Sequence, residues 1–207
     1  MKLIRIGLTG GSGAGKSTVS GLLCELGFYP IDADAVYHQL IRPGQPGHAA
    51  ILAHFPDVLD QTGEIDRKKL GDLVFSNVWK RKKLNEITHS LVLARMSELA
   101  ETAKRRGAYR GILFDVPLLF ESGADRLCDT TIAVIAPREQ RIRRLLSRDG
   151  AVRSRIEARL AAQPENAYYT RRAAHTIIND GDLPALRAKT LALAGQILKQ
   201  YDQCGLT

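Results

Sequence analysis

The stretch Gly10-Gly11-Ser12-Gly13-Ala14-Gly15-Lys16-Ser17 satisfies G-x-x-x-x-G-K-[ST] in full, ten residues into a chain of 207. Glycines permit a tight turn whose backbone N–H groups face inward and form a concave nest for anionic oxygens. In this pattern the ammonium of Lys16 neutralises outer phosphates, and the hydroxyl of Ser17 is offered to Mg²⁺. The flanks agree with a phosphate-binding loop. Leu3-Ile4-Arg5-Ile6-Gly7-Leu8 reads as a strand running into it, and Val19, Leu22, Leu23 and Leu26 recur afterwards at helical spacing. That order sets a helix N-terminus, with its partial positive charge, against the anion.

Further apolar strands are predicted at 28–31, 112–115, 130–135 and 176–179, separated by helical patterns. Short buried strands alternating with helices imply an α/β fold: a three-layer α/β/α P-loop NTPase with a parallel sheet of about five strands. Between Asp34 and Arg110 the pattern turns helical and polar, with loop breaks at Pro43-Gly44, Pro46-Gly47 and Thr62-Gly63. Within it Leu84, Ile87, Leu91 and Ala94 mark one face of a long helix. Asp182 is placed to cap a C-terminal helix that buries Leu186, Leu193 and Ile197.

A hydrophobic fraction of 44% and a charged fraction of 25% are those of a soluble globular protein. Cys24, Cys128 and Cys204 show no pairing or metal spacing, which suits a reducing compartment. The first apolar run carries Arg5 and leads into the loop, so no signal peptide is expected there. The run from Gly111 to Phe120 contains Asp115 and Pro117 and is too short for a bilayer. A soluble, cytoplasmic protein without a membrane partner is expected. The net charge of +8 points either to nucleic acid or to small polyanions such as nucleotides. Basic residues thicken from Arg138 through Arg141, Arg143, Arg144, Arg148, Arg153, Arg155 and Arg159, without the interleaved aromatics of a single-strand binder. A solvated helix face accounts for most of them.

Pro30-Ile31-Asp32-Ala33-Asp34 closes the second strand, at the sheet edge where parallel α/β folds bind ligands. Asp34 is read as accepting a hydrogen bond from an acceptor hydroxyl, and Asp32 as ordering metal-bound water. The alternative is an Asx turn or N-cap for a helix over 35–41, which Asp34 itself could serve. A free aspartate has a pKa of about 3.9, so orienting the hydroxyl matters more than removing its proton. Ile112-Leu113-Phe114-Asp115 has the form of a Walker B strand, whose carboxylate holds Mg²⁺ through water. Arg141, Arg144 and Arg148 are spaced to share one helix face, from which arginines would close over a nucleotide; Arg148 is the preferred clamp. The histidines show no zinc spacing, and His89 is more often a helix-packing residue than a catalyst. Asp60-Gln61-Thr62-Gly63 imitates a GTPase motif within a polar turn.

Taken together, the chain resembles the dephospho-CoA kinase family nearly end to end. The resemblance rests on Gly7-Leu8-Thr9-Gly10-Gly11 with the loop, Ile31-Asp32-Ala33-Asp34, Gly63-Glu64-Ile65-Asp66-Arg67 with Leu70, and Ile87-Thr88-His89. Val116-Pro117-Leu118-Leu119-Phe120-Glu121, Gln140-Arg141 with Arg148-Asp149, Gln163 and Ile177-Ile178-Asn179 complete it. It implies ATP- and Mg²⁺-dependent phosphorylation of the ribose 3′-hydroxyl of dephospho-CoA. It implies a nucleotide-binding core (1–34, 108–140, 170–207), a helical substrate-binding insertion (35–107) and a lid (141–169). Catalysis would fall to Asp34, Lys16 and Arg148. ATP would be held by Gly11, Gly13, Ala14, Gly15, Lys16, Ser17, Thr18 and Arg148, and the acceptor by Asp34, Asp66, Arg67, His89 and Leu118. Ser17, Asp32 and Asp115 would serve Mg²⁺, partly through water. A monomer is favoured, and no nucleic-acid partner is implied. Ser12, Ser90, His175 and the stretch from Pro164 to Arg172 depart from the family's usual pattern. Another P-loop nucleoside or nucleotide kinase, or a regulatory or nucleic-acid-binding P-loop ATPase, are the alternatives.

Overall fold

Strand side chains alternate between two faces, and Ile4, Ile6 and Leu8 bury one face of the strand that enters the glycine loop. The computed structural model describes residues 3–75 and 77–204; the side chain of Cys204 lies outside the described residues. In chain order the elements are β1 (Ile4–Gly10), α1 (Lys16–Glu25), β2 (Phe28–Asp32), α2 (Ala33–Leu40), α3 (Pro46–Leu52), α4 (Arg67–Phe75) and α5 (Val78–Arg106). Then follow β3 (Gly111–Asp115), β4 (Thr130–Ile135), α6 (Arg138–Asp149), α7 (Arg153–Ala161), α8 (Asn166–Thr170), β5 (His175–Ile178) and α9 (Leu183–Cys204).

Among the described residues five strands form one sheet in the order β2-β3-β1-β4-β5. β1 pairs in parallel with both β3 and β4, and β4 with β5. The expected α/β sheet is therefore present, with β1 at its centre. The order reverses around β1, so the loop that follows it opens at a topological switch point. On one face Ile4, Ile6, Leu8, Leu113, Ile132, Val134 and Ile177 pack against Val19 and Leu23 of α1 and Leu186, Ala194 and Ile197 of α9. On the other, Ala133 and Ile135 meet Tyr169 of α8. Tyr169 belongs to the stretch that departs from the family's pattern, and here it is core. Asp182 caps α9 as expected, accepting from the Ala185 amide at 2.9 Å.

The chain divides into two compact units: one holds the chain up to Pro30 and from Ala103 onward, the other Ile31–Thr102. Residues 141–169 belong to the first unit, and Asp34 to the second. The second unit has its own core of Ile41, Ile51, Phe55, Val58, Ile65 and Leu70. Among the described residues no helix is long and apolar enough to cross a membrane. The thiol of Cys128 is half-buried, donates to the Ala124 carbonyl, and is pushed up to about 12 by burial and then by Asp125 and Asp129.

The buried stripe of α5 differs from the one the sequence suggests. Ala94 is exposed, Leu84, Ile87 and Leu91 are half-buried, and the fully covered positions are Thr88, Met96, Ala100 and Ala103. A stripe stepping mostly by four drifts around a helix of 3.6 residues per turn, so a face defined near the start does not persist along 29 residues. Met96→Ala should therefore cost about 2–5 kcal/mol in urea denaturation, while Ala94→Gln should stay within about 0.5 kcal/mol. The reverse ranking would restore the sequence-derived face.

Candidate active site

A nest built from inward amides turns its carbonyls outward, and each of those needs a donor when it is withdrawn from water. The loop meets this requirement in full. The Gly11 carbonyl accepts from the Ala14 amide at 3.0 Å, and the Gly15 carbonyl accepts from the Thr18 and Val19 amides as α1 begins. Between them, Ser12 O accepts from Arg141 Nε at 2.8 Å, Gly13 O from Arg144 Nη1 at 3.3 Å, and Ala14 O from Asn179 Nδ2 at 2.8 Å. Gly15 holds φ at 101°, and a Cβ there would lie 2.3 Å from Asn179 Nδ2, so this position admits glycine alone.

Ser12 is held at three atoms. Its amide donates to Gln163 Oε1 at 3.0 Å, its hydroxyl accepts from Gln163 Nε2 at 2.7 Å, and its carbonyl is bound by Arg141. Arg141 Nη2 also donates to Gln163 Oε1 at 2.7 Å, which closes the network. Asn179 is likewise shared, with its Oδ1 accepting from Arg144 Nη2 at 3.1 Å. Arg141 is only 6% exposed.

Lys16, first residue of α1, donates to Asp115 Oδ1 at the end of β3. Register explains the meeting: Asp115 stands opposite Leu8, one strand away from the chain that enters the loop. The two groups that the sequence assigned to phosphate and to metal thus pair with each other. Ser17 and Thr18 are exposed on the first turn of α1, so their hydroxyls remain open to a ligand. Among the described residues no group of three His, Cys, Asp or Glu could hold a metal alone. One hydroxyl and a nearby carboxylate suit an ion that takes its remaining ligands from phosphate and water, as Mg²⁺ does.

The arginines of α6 do not act as one face. Arg141 and Arg144 point to the loop's carbonyls, whereas Arg148, in the last turn, donates to Asp149 Oδ1 at 2.6 Å and is 63% exposed. Asp149 also accepts from Arg159 at 2.7 Å, and these bonds hold its carboxyl below the usual carboxylate range. Leu118 lies in the turn after β3, 51% exposed, next to Pro117, whose carbonyl accepts from buried Thr9.

In the second unit Asp32, not Asp34, is the N-cap of α2: its Oδ1 accepts from the Asp34 and Ala35 amides at 2.8 and 3.2 Å. The helix therefore starts two residues earlier than expected, and Asp34 sits exposed in its first turn. Asp66 performs the same service for α4, accepting from the Lys68 and Lys69 amides. Arg67 opens α4, exposed, close enough to Tyr37 to act on its hydroxyl electrostatically. His89 is half-buried on α5, and burial lowers its pKa, which keeps the ring neutral at pH 7.

Sequence reasoning missed Ser12, Gln163, Asn179 and the inward use of Arg141 and Arg144. Gln163 and Asn179 stood out only as parts of a resemblance, and no local pattern marks a side chain that bonds a backbone carbonyl more than a hundred residues away.

Comparison with known proteins agrees with this geometry. Residues 4–185 match the dephospho-CoA kinase family. A dephospho-CoA kinase of Geobacillus kaustophilus is 42% identical over 200 residues, covering 96% of this chain and 97% of its own. A solved structure from Thermus thermophilus superposes with a TM-score of 0.78 at 33% identity, covering 94% of this chain and 98% of its own. The dephospho-CoA kinase of Campylobacter jejuni superposes with a TM-score of 0.69 at 27% identity, covering 95% and 98%. Loop, sheet order and full-length similarity converge, and the chain belongs to the dephospho-CoA kinase family of P-loop kinases.

Proposed function

We propose that the protein transfers the γ-phosphoryl group of ATP to the ribose 3′-hydroxyl of dephospho-CoA, giving coenzyme A and ADP. The observation that carries this reading is the family match over residues 4–185, on a chain whose phosphate loop is fully braced. The amides of Gly13, Gly15, Lys16 and Ser17 would face the phosphates, Thr18 would offer its hydroxyl, and Lys16 would leave Asp115 for the β- and γ-phosphate oxygens. Ser17 and, through water, Asp115 and Asp32 would hold Mg²⁺, which when bound would supply neutralisation of phosphate charge. Asp34 accepts a hydrogen bond from the acceptor hydroxyl and points its oxygen along the line of attack. The oxygen–phosphorus bond forms as the bond to the ADP leaving oxygen breaks, and the hydroxyl proton passes late to Asp34. Arg148, freed from Asp149, is the arginine assigned to the transferring group, within a lid drawn from residues 141–169. Arg67, His89 and Leu118 complete the acceptor contacts, with Asp66 setting the start of α4.

Purified protein with Mg-ATP should release ADP in step with coenzyme A formation from dephospho-CoA, and not with nucleosides or shikimate; preference for another acceptor sinks the assignment. Asp34→Asn should lower kcat by roughly a hundredfold or more while leaving ATP affinity within about twofold, read by steady-state kinetics and nucleotide titration. Gln163→Ala frees the Ser12 amide and hydroxyl and loosens a preorganised loop. It should raise the KM for ATP by roughly threefold to tenfold with a smaller change in kcat. An unchanged KM would show that the brace does not serve nucleotide binding.

A further inference from the structure

The second unit holds a cavity of about 390 Å³ between the end of α2 and the start of α4. Its wall carries Arg42, Arg67 and His38 as groups able to donate hydrogen bonds, Glu64 as the opposing charge, and Ile41 and Ile65 as apolar surface. Both guanidinium groups belong to exposed residues, so neither is buried in the unit's core. The buried Nδ1 of His38 has no hydrogen-bond partner. Two arginines lining one cavity suit the oxygens of a phosphate ester better than a single carboxylate, because each planar guanidinium can take two oxygens.

We infer that this cavity receives the 5′-diphosphate of the acceptor, with Arg42 and Arg67 each pairing one phosphate. The inference rests on the proposed reading of Asp34 as the residue that aligns the 3′-hydroxyl. Helix α2 then works as a ruler: Asp34 stands in its first turn, and Arg42 follows eight residues later. From Asp34 to Leu40, the last residue of α2, the helix rises roughly 9 Å at 1.5 Å per residue, and Arg42 lies in the turn just beyond, where its long side chain can reach back along part of that distance. A ribose separates its 3′-oxygen from its 5′-phosphates by only a few bonds, so one sugar spans from the aspartate to the cavity. Ile41 and Ile65 offer apolar cover beside the diphosphate, where the acceptor's remaining methylene groups begin. An acceptor without a diphosphate gains nothing here, so the cavity selects for a nucleotide-linked substrate over a free nucleoside.

Binding of dephospho-CoA and of adenosine is measured by calorimetry on the full chain with the ATP site saturated by ADP, alongside steady-state kinetics. Arg42→Gln and Arg67→Gln, both exposed and measured for melting temperature as a folding control, should each weaken dephospho-CoA binding by roughly tenfold or more. The ratio of dephospho-CoA to adenosine affinity should collapse accordingly, and the KM for ATP should stay put. Dephospho-CoA affinity within twofold of wild type in the double variant overturns the inference, as does an equal loss for adenosine. Failure of the wild-type chain to phosphorylate dephospho-CoA would instead overturn the proposed function. Arginine-dependent binding of dephospho-CoA would then still sustain the diphosphate site.

Discussion

Three side-chain donors hold the outward carbonyls of the phosphate loop, and the catalytic half of the molecule depends on them. Inward amides and outward carbonyls are two sides of the same backbone turn, so an anion site of this kind brings a matching demand for donors. Arg141, Arg144 and Asn179 meet that demand at Ser12, Gly13 and Ala14. These donors come from α6 and from the end of β5, far along the chain, so the loop is shaped by the completed fold and not by its own glycines alone. An unmet carbonyl at each place would cost about 1–3 kcal/mol, and the loop would lose definition before the sheet did.

The same bonds change the meaning of the positive charge. A net charge of +8 with a dense arginine segment suggested a solvated face or a polyanion surface. In the fold, Arg141 and Arg144 donate to the loop carbonyls and to Gln163 and Asn179, Arg148 and Arg159 share Asp149, and Arg153 binds Glu139 and Glu157. Part of the segment is thus a scaffold for the loop, and part is a set of exposed local ion pairs.

How much of this was legible in the sequence follows from the range of each interaction. β1, β4 and the loop were readable because their signals are local: an apolar run, a fixed glycine spacing, a helical stripe. The sheet and the family followed from them. The α2 start was misjudged by two residues because either aspartate could cap it, and only the backbone path assigns the role to Asp32. The 3-4-3 spacing of Leu84, Ile87, Leu91 and Ala94 points to one face, but the covered positions further along α5 follow a different stripe, which leaves Ala94 outside. Gln163 could not be given its partner, since amide-to-backbone bonds at a separation of 151 residues leave no periodic trace. The shared helix face of Arg141, Arg144 and Arg148 suggests arginines turned to a nucleotide, since arginines are usually exposed, yet Arg141 is buried and donates to the Ser12 carbonyl and to Gln163.

The ion pair between Lys16 and Asp115 gives the resting protein an internal counter-ion. A lone ammonium in a half-covered nest would be costly to keep; the carboxylate occupies its attention until a nucleotide arrives. On the proposed reading, nucleotide capture would be an exchange of one anion for another, and the net electrostatic gain would be smaller than a count of new charge contacts suggests. Release of product would be eased for the same reason, because Asp115 would stand ready to take the lysine back.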